Sequence, residues 1–268
     1  MTTLLISSAG LIASTLLLAW LISLPLKDVS IIDILWGPGF VLVAWAAVLL
    51  SDAPSATAAG TAPSRWLLPL LATVWGVRLG GYLAWRKIGE PEDRRYAEMR
   101  KKRGRAFWWQ SLFIVFLLQG VAMWVISLPL QFGIARAQPG WHWSHAVGIM
   151  LWTVGLIFEA GGDWQLARFL SRPDSQGRVL DRGLWRYTRH PNYFGDSCIW
   201  WGMSLVAVAG HPPDFWWLLI CPLLMTALLL WFSGVLLLEQ SLPERRPAYA
   251  DYIRRTSAFF PWPPRPHA

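Results

Sequence analysis

Charge is scarce in this sequence. Asp, Glu, Lys and Arg make up 15% of its 268 residues, where a soluble domain carries about 25%. With recurrent apolar stretches of about 18 residues or more, that shortfall excludes an ordinary soluble domain and indicates a polytopic helical membrane protein. Cysteine is almost missing: Cys198 and Cys221 both fall in apolar runs, without metal spacing or a disulfide framework, and read as buried thiols. No His, Cys or carboxylate set has metal-ligand spacing, so no metal is expected. There is no Gly-x-Gly-x-x-Gly after a strand and no Walker loop. A bound nucleotide would have to be held by side chains on helices. No internal repeat is visible, which argues against a transporter built from paired broken helices. No separate soluble domain is visible either.

What is present reads as an all-α protein with seven transmembrane helices in a single domain, 1–268. The spans are expected at about 3–26, 31–51, 66–86, 107–132, 145–169, 192–209 and 215–238. The first 26 residues lack a positive leading segment and read as span 1, not as a cleaved signal peptide. Gly37-Pro38-Gly39 should kink or unwind span 2, and Pro129 is placed to end span 4.

Twenty of the 24 Lys and Arg fall in three segments, 86–105, 168–189 and 245–265. The alternate loops, 52–65, 133–144 and 210–214, hold one, one and none. This asymmetry predicts an outside N-terminus and a cytoplasmic C-terminus. The net charge of +8 is accounted for by these loops, so nucleic acid is not expected as a partner. Membrane lipid is. Tryptophan is abundant, with 20 residues. Most fit interfacial belts, while Trp36, Trp152, Trp164, Trp200 and Trp201 sit near polar residues of the spans and suit a flat pocket for a ring-bearing ligand.

Ionisable residues within spans are costly and point to function. They are Asp33, Arg78, Glu159, Asp163, Asp196 and Glu239. Glu159 and Asp163 share a helix face, as do Asn192 and Asp196. The alternative is structural hydrogen bonding, or a buried pair such as Asp33 with Arg78. Every basic Lys/Arg position from 168 to 265 is Arg, interleaved with Tyr and Trp. Charge retention alone does not require Arg, whereas phosphate binding uses its planar fork. Those positions include Arg168, Arg172, Arg186, Arg246, Arg254 and Arg255, with Tyr249 and Tyr252 nearby.

Three segments carry a family resemblance. Glu159-Ala160-Gly161-Gly162-Asp163-Trp164-Gln165, Gly183-Leu184-Trp185-Arg186-Tyr187 and Arg189-His190-Pro191-Asn192-Tyr193-Phe194-Gly195-Asp196, with Tyr249 and Tyr252 of the tail, resemble bacterial membrane proteins related to steroid 5α-reductase. The resemblance is clear over 150–262 and rests on general topology before that. Arg-His-Pro-x-Tyr also occurs in membrane methyltransferases that use S-adenosylmethionine, which carry a late Glu like Glu239. Asp163-Trp164-Gln165 and the Asn192 and Asp196 pair favour the reductases.

The resemblance implies an oxidoreductase that uses NADPH to reduce the C4–C5 double bond of 3-oxo-Δ4 steroids, or another lipid enone, to the 5α product. It implies cofactor contacts from Asp163, Tyr187, His190, Asn192, Tyr193, Asp196 and Glu239, with the arginines on the phosphates. It places the substrate among spans 1–4 (1–132) and the cofactor on 145–262. It expects a carboxylic acid on span 2, met by Asp33, and a partner on span 3, for which Tyr82 and Trp75 are the candidates. A carboxyl in such a site can remain protonated as a donor. The expected location is the bacterial inner membrane, as a monomer taking a lipophilic substrate.

Overall fold

The computed structural model describes residues 1–51, 62–175, 177–232 and 247–265. Among these, all named elements are helical, and one isolated bridge joins Thr188 to Ser257. Five helical stretches are long and apolar enough to cross a membrane: Thr2–Leu26, Ser64–Lys87, the composite Arg94–Ala135, Trp143–Leu170 and Pro213–Trp231. The chain is a multi-pass membrane protein. Two other expected spans are shorter, Trp36–Leu50 at 15 residues and Pro191–Ala207 at 17. They rise only about 22 and 26 Å, less than the ~30 Å hydrocarbon core.

Two compact units account for the described chain. One is 1–145 with 206–221, and the other is 146–205 with 222–268. The 206–221 segment thus folds with the first unit.

In the first unit, α1 (Thr2–Leu26) ends at Lys27, whose left-handed φ of 52° closes the last turn. A short α2 (Ile31–Ile34) leads to α3 (Trp36–Leu50), which packs along α4 (Ser64–Lys87). Gly37 and Gly76 make that contact: a Cβ on either would collide with the other's carbonyl oxygen. Small residues let the two backbones touch, so dispersion replaces the hydrophobic drive that lipid does not supply. The Gly37-Pro38-Gly39 triplet does not unwind the helix. The break falls earlier, at Leu35, and Pro38 lies in the first turn of α3, where a missing N–H costs nothing. Phe40, Val43, Leu68, Ala72, Trp75, Leu130 and Ile134 are buried in this unit's core.

The segment 86–105, expected as a loop, contains a helix, α5 (Arg94–Arg103). Asp93 caps it by accepting the Arg95 N–H at 2.9 Å. After α6 (Phe107–Ser111) the chain makes one π-helical stretch, Leu112–Leu117, before α7 (Leu118–Ile126). Pro129 does not end the span. It opens α8 (Leu128–Ala135), again in a first turn.

In the second unit, α9 (Trp143–Leu170) and α10 (Pro191–Ala207) run antiparallel. Gly195 and Gly202, two turns apart on one face, admit the α9 backbone: a Cβ at Gly195 would meet Glu159 and Gly155, and one at Gly202 would meet Trp152 and Gly148. Beyond α11 (Ile220–Ala227) lies α12 (Pro247–Arg255), and its tail is sewn to the connection before α10. Arg189 N–H donates to Ser257 O at 2.9 Å, and Trp262 N–H donates to Tyr187 O at 2.9 Å.

Candidate functional site

Two polar groupings stand out, one in each unit. In the first unit, Asp33 sits on the single turn of α2, and its carboxyl is bonded by two residues of α5. Tyr96 donates its hydroxyl to Asp33 Oδ1 at 2.7 Å, and Arg95 donates from Nη2 to Oδ2 at 3.0 Å. Both carboxyl oxygens of Asp33 are thus hydrogen-bonded. Trp75 is fully buried, its ring 5.8 Å from Phe40, and Tyr82 lies against Trp85 and Arg86. Asp33 forms an ion pair with Arg95 at 3.0 Å.

Tyr96 is almost fully buried. Its oxygen accepts from Gln119 Nε2 at 3.0 Å, and Gln119 Oε1 accepts from Trp36 Nε1 at 2.6 Å. Neighbouring ion pairs hold α5 in place. Arg100 grips Glu92 with two bonds of 2.8 Å, and Glu92 also accepts the Val29 N–H at 2.9 Å. Lys87 meets Asp28 at 2.7 Å. Burial alone would raise the Asp28 carboxyl, but Lys87 and Ser30 hold it below the usual range. Burial opposes, and Arg95 likewise secures, a lowered Asp93.

Sequence reasoning missed Arg95, Tyr96 and Gln119. The first two stood in a segment read as loop. Gln119 was legible as a lone amide in an apolar run, but the search there was for ionisable groups.

In the second unit, α9 and α10 bring Asp163 and Asn192 together, Asn192 Nδ2 donating to Asp163 Oδ1 at 3.2 Å. Glu159, Asp163 and Asp196 are all buried. The two four-residue pairs expected to share faces thus lie on the two helices that pack through Gly195. His190 is buried and stacks on Tyr193, ring centroids 5.5 Å apart and nearly parallel.

Two clefts lie at the ends of these elements. One, about 440 Å³, is lined by Trp164, Arg168, Arg172, Arg178 and Arg182 among others. The other, about 510 Å³, is lined by Arg182, Arg186, Arg255 and Arg265 with Asp181 and Thr256. Arg168 lies over the Trp164 ring at 5.4 Å, an aromatic face beside cations.

The remaining residues of these motifs and of the tail make contacts of their own. Arg189 donates to Ile253 O at 3.0 Å and to Thr256 O, securing the end of α12. Tyr252 donates to Trp185 O and packs on Tyr249. Arg254 and Arg255 both bind Asp251, at 3.1 and 2.7 Å, and Arg254 holds that carboxyl below the usual range. Tyr187 is exposed and enters through its backbone carbonyl. Glu239 and Arg246 lie outside the described residues. Among the described residues no group of three His, Cys, Asp or Glu is placed to hold a metal ion.

No curated protein and no solved structure matches the chain. One family model does, over residues 19–256, which is most of the sequence. The helical, membrane-spanning chain with these two polar groupings belongs to the family described as protein of unknown function (DUF1295).

Proposed function

We propose that this protein is a membrane-embedded reductase that uses NADPH to saturate a carbon–carbon double bond conjugated to a ketone, with 3-oxo-Δ4 steroids as the preferred substrate class. The observation that carries the reading is the Asp163–Asn192 bond between α9 and α10 in the unit that also holds the arginine-lined clefts. The matched family is related to steroid 5α-reductase-like membrane proteins, which agrees with the motifs at 159–165 and 189–196.

The residues present fit a phosphorylated nucleotide. Arg168, Arg172, Arg182, Arg186 and Arg255 line space of suitable size, and Trp164 offers a flat face for a ring. Asp163 and Asn192 together offer acceptors and amide N–H groups for a carboxamide or ribose hydroxyl. When bound, NADPH supplies the hydride that ends on the β-carbon of the enone. Negative charge then grows on the substrate's carbonyl oxygen, and a hydrogen-bond donor there lowers the barrier. Asp33, whose carboxyl is bonded to Tyr96 and Arg95, is the acid this chain offers for that part. A solvent proton completes the α-carbon.

On this reading the basic segments face the cytoplasm of a bacterial inner membrane, with the N-terminus outside, and the protein acts as a monomer on a substrate drawn from the bilayer. Purified protein in detergent, mixed with a 3-oxo-Δ4 steroid, should oxidise NADPH and yield the 5α-reduced ketone by mass spectrometry. Tight binding of S-adenosylmethionine with indifference to NADPH would replace the reductase by a methyltransferase.

A further inference from the structure

The chain has only four lysines, Lys27, Lys87, Lys101 and Lys102. All lie in the first unit, whereas every basic Lys/Arg position from 168 to 265 is Arg. Lys87 meets Asp28 at 2.7 Å, so α1 and α4 finish at the same end of that unit. The first cations of α5 find acids there. Arg94 holds Glu98, Arg95 holds Asp93 and Asp33, and Arg100 holds Glu92. The cations that follow do not. Lys101, Lys102, Arg103 and Arg105 are exposed and, among the described residues, form no ion pair. Arg103 alone has a bond, to the amide oxygen of Gln110 at 3.1 Å.

The packing sets the depth of this run. Gly104, with a φ of 56°, turns the chain from α5 into the span that starts with α6. Trp108 of α6 stacks on Trp20 of α1, ring centroids 6.5 Å apart, and Trp20 Nε1 donates to Trp108 O at 3.1 Å. Further along, Trp124 Nε1 donates to Leu5 O, so the two spans run antiparallel. Going from the Trp20–Trp108 contact towards the end of α1, Leu26 lies about 9 Å on and Arg105 about 5 Å on. The unmatched charges therefore stand level with the last turn of α1, where hydrocarbon gives way to headgroups. Trp108 and Trp109, both exposed, lie just below them, as interfacial tryptophans do. Tyr96 and Arg100 face the 28–33 turn, and at about 100° per residue Lys101 and Lys102 project away from it.

We propose that Lys101, Lys102, Arg103 and Arg105, with Trp108 and Trp109 beneath, form a docking surface for the headgroups of anionic phospholipids. Charge complementarity and depth select this occupant. A run of cations beside a span attracts anionic lipid by about fivefold in affinity per charge, and the compact ammonium of Lys suits a phosphate that moves with a fluid bilayer. The bound lipid also braces α5, which brings Arg95 and Tyr96 to Asp33. Nothing in this surface depends on reductase chemistry.

Purified protein in neutral detergent, offered phosphatidylglycerol and phosphatidylcholine with the same acyl chains, should retain the anionic lipid preferentially in native mass spectrometry. Lys101→Gln/Lys102→Gln should cut that preference about fivefold for each charge removed. Arg94→Gln/Glu98→Gln removes a matched pair instead and should leave the preference at the wild-type value. Phosphatidylglycerol should raise the Tm of the wild type more than that of the lysine variant, and glycerol phosphate or an acidic peptide should raise neither. If the double lysine variant fails to insert, Lys101→Gln and Lys102→Gln singly carry the same test, at about fivefold each.

Equal retention of the two lipids by the wild type overturns the proposal, as does a preference that survives loss of the lysines. A Tm rise from glycerol phosphate or from the peptide equal to that from phosphatidylglycerol would assign the surface to a soluble anion or an acidic protein and remove the lipid.

Discussion

At the scale of single residues, the two groupings differ in what a substitution should change. Asn192 and Asp163 hold each other across two helices, and each is expected to give a further bond to the nucleotide. Losing a buried hydrogen bond to a charged group costs about 1.5–3 kcal/mol, roughly tenfold to hundredfold in affinity. Asn192→Ala and Asp163→Ala should each weaken NADPH binding by that factor in a calorimetric titration, with the protein still extractable and folded. Unchanged affinity in both would remove these side chains from the cofactor site. Asp33→Asn should act on turnover instead. Asn keeps one acceptor but turns an NH₂ towards either Tyr96 or Arg95, both donors. A loss of about tenfold or more in turnover, with NADPH affinity intact, is expected. A fully active variant would remove Asp33 as an obligatory acid. Asp33 was legible from the sequence because an acid in an apolar stretch is rare. Its partners were not, because the choice between Tyr82 and Tyr96 is made by a fold-back of 62–63 residues, and no local pattern encodes that.

At the scale of elements, α5 explains much of what the sequence concealed. Its ten residues, Arg94–Arg103, carry six basic side chains and one Tyr, so composition suggests a solvated loop. Yet Asp93 caps it, and its Glu92, Asp93 and Arg100 contacts reach back to the 28–30 turn. The element exists because ion pairs and a cap pin it, not because an apolar stripe does. It should therefore be acid-sensitive. Asp28 and Asp93 have folded-state carboxyls held below their usual range. A lowered carboxyl contributes stability above its unfolded value and loses it as pH falls through the folded one. Lowering the pH from about 5 to about 3 should depress the Tm of the detergent-solubilised protein. Asp28→Asn should lower the Tm at neutral pH and flatten that acid limb. A limb unchanged in the variant would assign the acid loss to other groups.

At the scale of the whole molecule, hydropathy made the spans legible, because a long apolar run has few alternatives to crossing the bilayer. Helix breaks were less legible, since Pro38 and Pro129 both sit in first turns, where the residue that breaks a helix is also one that starts it. Orientation is the remaining global property, and it rests on charge. Residues 86–105 and 168–189 hold fifteen of the 24 Lys and Arg, against one in 133–144. Each retained charge resists translocation, so the three basic segments should share one side. The two native cysteines are buried, which leaves a low background for thiol labelling. Glu90→Cys, Asp174→Cys and Pro139→Cys each place a thiol at an exposed position. In intact cells a membrane-impermeant maleimide should label only Pro139→Cys, and permeabilisation should expose the other two. Labelling of Glu90→Cys and Asp174→Cys from opposite sides would mean that an odd number of crossings separates them, and would overturn the seven-span topology. Labelling of both from outside would keep the topology and invert it. That outcome would place the arginine-lined clefts away from the cytoplasmic nucleotide pool and would count against NADPH as the cofactor.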